Sequence, residues 1–101
     1  MATIHIDEQE YTFKISNQSY DIIESMIGGS LMVAIQQNGG MIPLRTARII
    51  YGNSLYNSEG NCIPYPQAEK IANQFIEEEG YQKAVVTIAN QMQEDLPFLF
   101  R

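Results

Sequence analysis

The chain has 101 residues, 45% of them hydrophobic, and six Lys and Arg stand against twelve Asp and Glu for a formal net charge of -6. That length is one domain's worth, and the acidic balance argues against a sequence-independent nucleic-acid binder or a protein docked on an anionic membrane, both of which need a cationic face. The single cysteine, Cys62, makes neither an internal disulfide nor a multi-thiolate metal site, so a reducing cytoplasm fits.

The opening stretch has no basic n-region and no apolar h-region, so no signal peptide is expected. Nor does any apolar run reach the roughly 18–20 residues of a membrane span. Ile4 and Ile6 alternate with Thr3, His5 and Asp7, and beyond the polar stretch Asp7, Glu8, Gln9 and Glu10 the residues Tyr11, Phe13 and Ile15 share one face. Period-2 alternation on both sides of a short connection predicts a β-hairpin over 3–15 with one buried face. Two strands alone are marginal in water, so the hairpin must lie on the helices that follow.

Ser16 is a plausible N-cap for a helix whose stripe is Tyr20, Ile23 and Ile27, widened by Ile22 and Met26 and closed by Gly28 and Gly29. Ser30 caps a short second helix carrying Leu31, Ala34 and Ile35, and the run from Gln36 to Gly40 breaks it. Pro43 suits the first turn of a third helix, with Leu44, Ala47, Tyr51 and Leu55 as its stripe and Ile50 alongside. Gly52 weakens that helix by about 1 kcal/mol relative to Ala, and residues 57–65 read as a loop.

Pro66 opens a helix in which Ala68, Ile71, Ala72, Phe75 and Ile76 follow the spacing of a single buried face. Glu77, Glu78 and Glu79 end it and Gly80 breaks the chain. The last helix carries Tyr81, Ala84, Val85, Ile88, Ala89 and Met92, with Leu96 one turn on, and puts Gln82, Lys83, Thr87, Asn90, Gln91 and Glu94 on its other face. Two amphipathic helices about so short a break predict a helical hairpin. The expected fold is therefore α+β and mainly α: a hairpin over 3–15, four to five short helices over 16–95 and an apolar tail over 96–101, all in one domain.

Little of this carries chemistry. His5 falls on the polar face of the first strand, where a solvated imidazole is expected. Cys62 has Lys70 as its nearest basic residue along the chain and lacks the adjacent cation that activates a thiol. Glu77, Glu78 and Glu79 point about 100° apart on a helix and do not converge on one ion. Negative charge at a helix C-terminus also opposes the dipole, so part of the triplet is expected to leave the helix or meet a basic partner. The glycine pairs lack the context of a phosphate loop. No enzyme activity and no cofactor is expected.

Two features point toward partners instead. Arg45 and Arg48 share a helix face, where they pair with acids of this chain or of another. Leu96, Phe98, Leu99 and Phe100 form an apolar end where polar residues are the rule. Either that end folds back over the helical core, or it docks on another chain and assists a groove elsewhere on the domain. Full burial of three such side chains yields about 5–9 kcal/mol gross, against roughly 1–2 kcal/mol per residue for ordering the segment. The stripes containing Ile71, Phe75, Ile88 and Met92 build either a closed core or a groove for a partner helix, and methionines, five in the chain, suit adaptable surfaces.

A hairpin running Thr3, Ile4, His5, Ile6, Asp7 and returning Tyr11, Thr12, Phe13, Lys14, Ile15, followed by compact amphipathic helices in a small acidic chain, resembles the tail assembly chaperones of long-tailed bacteriophages, prophages and gene transfer agents. The resemblance covers roughly residues 3–95 and is one of architecture rather than of a short motif. It implies a cytoplasmic, non-enzymatic protein that binds the tape measure protein, helps recruit tail tube subunits, self-associates, and is absent from the mature particle. It also implies no catalytic residue. Two other readings of the residues stand beside it. One is an acidic inhibitor that mimics nucleic acid, drawn from the two-to-one acidic excess. The other is a small enzyme or metalloprotein, drawn from His5, Cys62 and the glutamates.

Overall fold

Two strands and a two-residue turn open the chain. The structure, a computed structural model, describes residues 2–37 and 39–100. Met1, Asn38 of the predicted breaker and Arg101 of the predicted tail lie outside the described residues. Strand β1 (Ala2–Ile6) pairs antiparallel with β2 (Gln9–Phe13), Ala2 opposite Phe13 and Ile6 opposite Gln9. The connection is Asp7 and Glu8 alone, both at positive φ (50° and 66°). Two left-handed residues give the tight turn whose twist matches that of the flanking strands. Gln9 and Glu10, read from sequence as part of the connection, are already paired within the sheet. As alternation predicts, Ile4, Ile6, Phe13 and Ile15 are buried.

The helices are α1 (Asn17–Ile27), α2 (Leu31–Gln37), α3 (Leu44–Gly52), α4 (Tyr65–Glu79) and α5 (Tyr81–Asp95), followed by a 3-10 turn over Pro97–Phe100. The fold is α+β and mainly α. The Ser16 hydroxyl caps α1 by accepting the Ser19 N–H at 3.0 Å, and Gly28 closes it at φ 80°. Glu24 reaches from α1 to accept the Leu31 N–H at 2.9 Å, satisfying one of the free donors at the start of α2.

The third helix departs most from expectation. It stops at Gly52, and Leu55, predicted to close its stripe, instead opens a two-residue strand β3 (Leu55–Tyr56) paired with Thr12 and Phe13 of β2. An isolated bridge from Tyr56 to Cys62 extends this edge into what reads as loop. Asn57 builds the intervening turn, its Oδ1 accepting the Glu59 and Asn61 N–H groups, each at 2.9 Å. Gly52 is required by packing: a Cβ there would stand 2.7 Å from the Tyr65 ring.

One apolar cluster joins the sheet, α3, α4 and α5. At its centre the Tyr51 ring lies 4.5 Å from Phe13 and 5.5 Å from Phe75, centroid to centroid. Tyr51 donates its buried hydroxyl to the Ala84 carbonyl at 2.7 Å, joining α3 to α5. Ile71, Phe75, Ile88 and Met92 are all buried in the core, and Met92 also lines a cavity beside α2. Several predicted stripe residues are not buried: Ile22, Met26 and Leu44 are exposed, while Ser19 on α1 and Ile49 on α3 take the inward positions. Leu44 is the first residue of its helix, beyond the reach of the layer below.

Gln91 corrects the reading of α5. Placed on the polar face by spacing, it is only 2% exposed. Its Nε2 donates to Asp95 Oδ2 at 2.7 Å, and the same oxygen accepts the Ile15 N–H at 2.8 Å. The end of α5 is thereby clamped to the chain leaving the hairpin. Glu77, Glu78 and Glu79 all remain in α4 and exposed, and Glu79 meets Lys83 of α5 at 3.1 Å across the Gly80 break.

Candidate functional site: an apolar groove between α2 and α5

Helix α2 is short, and only Leu31 among its residues is fully buried. Two of its other apolar side chains, Met32 and Ile35, face a depression against α5. Met32 and Ile35 of α2, Ile42 of the following link, Val85 and Ala89 of α5, and Phe100 of the C-terminal turn line a cavity of 130 Å³. Gln93 is the polar side chain at its wall, and among the described residues no charged side chain lines it. An apolar cavity of about 150 Å³ holds a benzene-sized group, so the free space matches one large apolar side chain.

Backbone bonds hold the groove in shape. The Gly40 N–H donates to the Ile35 carbonyl at 2.9 Å and returns the chain beneath α2. Tyr81 donates its hydroxyl to the Ile42 carbonyl, tying that link to the start of α5. Further apolar side chains on these same segments are exposed: Val33 on α2, Met41 on the link, Val86 on α5 and Phe98 on the turn.

The apolar end of the chain combines both sequence-based readings. Leu96 is 1% exposed and Leu99 packs against the core, whereas Phe98 and Phe100 are 50% and 49% exposed. Arg45 and Arg48 lie elsewhere. Among the described residues neither joins an ion pair, in contrast to the expected self-pairing. Both charges instead act on Tyr65 at the start of α4. Burial, the hydrogen bond to Glu69 at 3.1 Å and the Glu69 charge raise that phenol's pKa, and the two arginines partly offset the rise.

The remaining candidates stay apart. His5 is exposed on β1 opposite Glu10. Cys62 is exposed, its thiol 3.7 Å from the Ile63 carbonyl. Among the described residues no group of three His, Cys, Asp or Glu is placed to hold a metal ion, and no helix is long and apolar enough to cross a membrane. Larger clefts occur beside the β3 turn, at 340 Å³ along Thr12, Lys14 and Tyr56 and at 420 Å³ along Ile22, Tyr56, Cys62 and Tyr65. They mix hydroxyl, amide and aromatic groups without a cluster of reactive side chains.

Spacing had placed Val85 and Ala89 in the core stripe, yet they face the groove. Met32 and Ile42, which line it too, stand in none of the sequence-based stripes. Their signal was present as apolar residues standing outside the helical stripes. The sequence matches no protein-family model, no curated protein and no solved structure.

Proposed function

We propose that this protein is a non-enzymatic tail assembly chaperone, holding apolar stretches of a tape measure protein and helping to recruit tail tube subunits. The observation that carries the reading is the groove between α2 and α5, lined among the described residues by Met32, Ile35, Ile42, Val85, Ala89, Met92 and Phe100 without a charged side chain. An amphipathic helix docks on such a surface through large apolar residues spaced three and four apart. The overall charge of -6 favours a client with a basic polar face. On this reading the protein works in the cytoplasm of a bacterial host and leaves before the particle is complete. Self-association through the same apolar surface is the resting alternative to client binding.

The acidic-mimic reading has less support. Asp7, Glu24, Glu69, Glu79 and Asp95 each already accept a hydrogen bond from within the chain. Those carboxylates are spent on the fold rather than laid out for a DNA-binding protein.

Co-expression with the tape measure gene of the same locus tests the proposal. The expected result is co-purification and a larger soluble fraction of the client, both lost in Val85→Lys, which puts a charge into the groove wall. A client that stays insoluble, or that binds wild type and Val85→Lys alike, overturns it.

A further inference from the structure

We infer that the C-terminal turn is a displaceable plug for this groove: Phe100 occupies part of it, and an incoming amphipathic helix enters by swinging Phe100 out. This rests on the groove being the client site. Leu96, 1% exposed, anchors the segment, and its N–H closes the end of α5 on the Met92 carbonyl at 2.8 Å. Beyond that anchor Leu99 still packs against the core, but few hydrogen bonds hold the turn. Pro97 has no N–H to donate, the Leu99 N–H returns to Leu96 at 3.1 Å, and among the described residues no side chain hydrogen-bonds to the turn. Phe100 lines the cavity yet keeps 49% of its surface in solvent. A permanent core residue of its size would be buried as Phe13 is, at 0%.

The volume sets what can enter. With Phe100 seated, 130 Å³ remains, room for about one benzene-sized group. One anchor is too few for a helix, which docks through apolar residues at successive turns. Swinging the Phe100 ring out removes one wall of the groove and lengthens it, so that a second anchor three or four residues from the first can enter. The turn therefore excludes single apolar side chains poorly and whole helices well, until a helix supplies enough contact to displace it. The occupant is an amphipathic helix with paired large apolar anchors, and a basic opposite face is favoured by the acidic charge of the domain.

A plug lowers apparent affinity by the fraction of molecules in which it is seated. If that fraction is about nine in ten, its loss tightens binding about tenfold. A wall has the opposite effect, because removing it removes contact. The probe is a synthetic helical peptide with leucines at positions i, i+3, i+4 and i+7 and lysines on the other face, titrated against the full chain. Phe100→Ala is expected to bind it about tenfold more tightly than wild type, and Ile22→Ala, exposed on α1 and outside the groove lining, to bind as wild type does. Equal or weaker binding by Phe100→Ala overturns the plug.

A second measurement does not depend on that variant's fold. The chain contains no tryptophan, so Phe100→Trp places a lone fluorophore at the plug. Its emission is expected to shift to the red as the peptide saturates, because the ring moves into water. An unchanged or blue-shifted emission means the ring stays at the interface, and the plug is rejected. Client solubilisation by the full chain without a red shift sinks the plug and leaves the chaperone reading standing. A red shift with the peptide but no gain in tape measure solubility does the reverse.

Discussion

The region around Phe13 and the region around Phe100 use the same residue type to opposite ends. Phe13 is sealed beneath the sheet against Tyr51, with Phe75 beyond, and α3 and α4 press on each other more extensively than other helix pairs do. Phe100 lies over a groove whose second wall is a seven-residue helix. A helix that short is marginal without tertiary support, and α2 commits one fully buried side chain to that support. The difference teaches where this molecule keeps its stability and where it keeps its adaptability. Interlocked aromatic packing holds the first region together, and the second is assembled from methionine, valine and a turn.

Substitution at Phe13 makes the sharpest break in that contrast. Phe13→Ala removes a fully buried ring and is expected to cost about 3–5 kcal/mol of unfolding free energy, read from urea denaturation. A cost below about 1 kcal/mol would mean that the sheet side is as loosely held as the groove side. Leu96→Ala probes the junction between the regions. Leu96 is buried as deeply as the core residues but carries the turn, so a loss of about 2–4 kcal/mol is expected. Phe98→Ala, half-exposed one step beyond Pro97, is expected to cost about 1 kcal/mol or less. Equal costs at Leu96 and Phe98 would place the whole turn in the core and leave nothing to displace.

The contrast also marks how far the sequence could be read. The hairpin, the Ser16 cap, the extents of α4 and α5 and the inward stripe from Ala68 to Ile76 were legible, because each is a local pattern with one strong period. Strand β3 was not. Two residues hold no period, and Leu55 fits the spacing of the preceding helix as well as it fits a strand. The inward turn of Gln91 was hidden for another reason: its partners, Asp95 and the Ile15 N–H, come together only in the folded chain. At the groove, Val85 and Ala89 sit at core spacing, and periodicity finds an apolar face without saying whether the face is covered. What covers it depends on the length of α2 and the path of the chain through Gly40 and Ile42. Neither is a local property.

The gentlest test of the comparison uses two tyrosines and the alkaline limb of stability. Tyr51 belongs to the closed region, and burial pushes its hydroxyl well above the usual phenol range. Tyr20 on α1 lies beside Glu24 and the Met32 backbone. Burial first and the Glu24 charge second push it up to about 12, with the Met32 backbone partly offsetting the rise. A raised phenol pKa favours the neutral form in the folded state, whereas the unfolded chain ionises near 10. The contribution of these two tyrosines to folding stability is therefore constant below about pH 10 and falls as pH climbs toward 12, where the unfolded state sheds protons that the folded state retains. Tyr20→Phe is expected to make that fall shallower while leaving stability near pH 7 little changed. Tyr51→Phe also makes it shallower, but lowers stability at every pH by about 1 kcal/mol through loss of the bond to Ala84. The tyrosinate absorbance at pH 12 that Tyr20→Phe removes from the native protein, set against the amount Tyr51→Phe removes, separates the two sites, since Tyr20 is about half ionised there and the more deeply buried Tyr51 is raised further. Ionisation of both together would show that the sheet side opens as readily as α1 and α2, and would remove the distinction between the two regions.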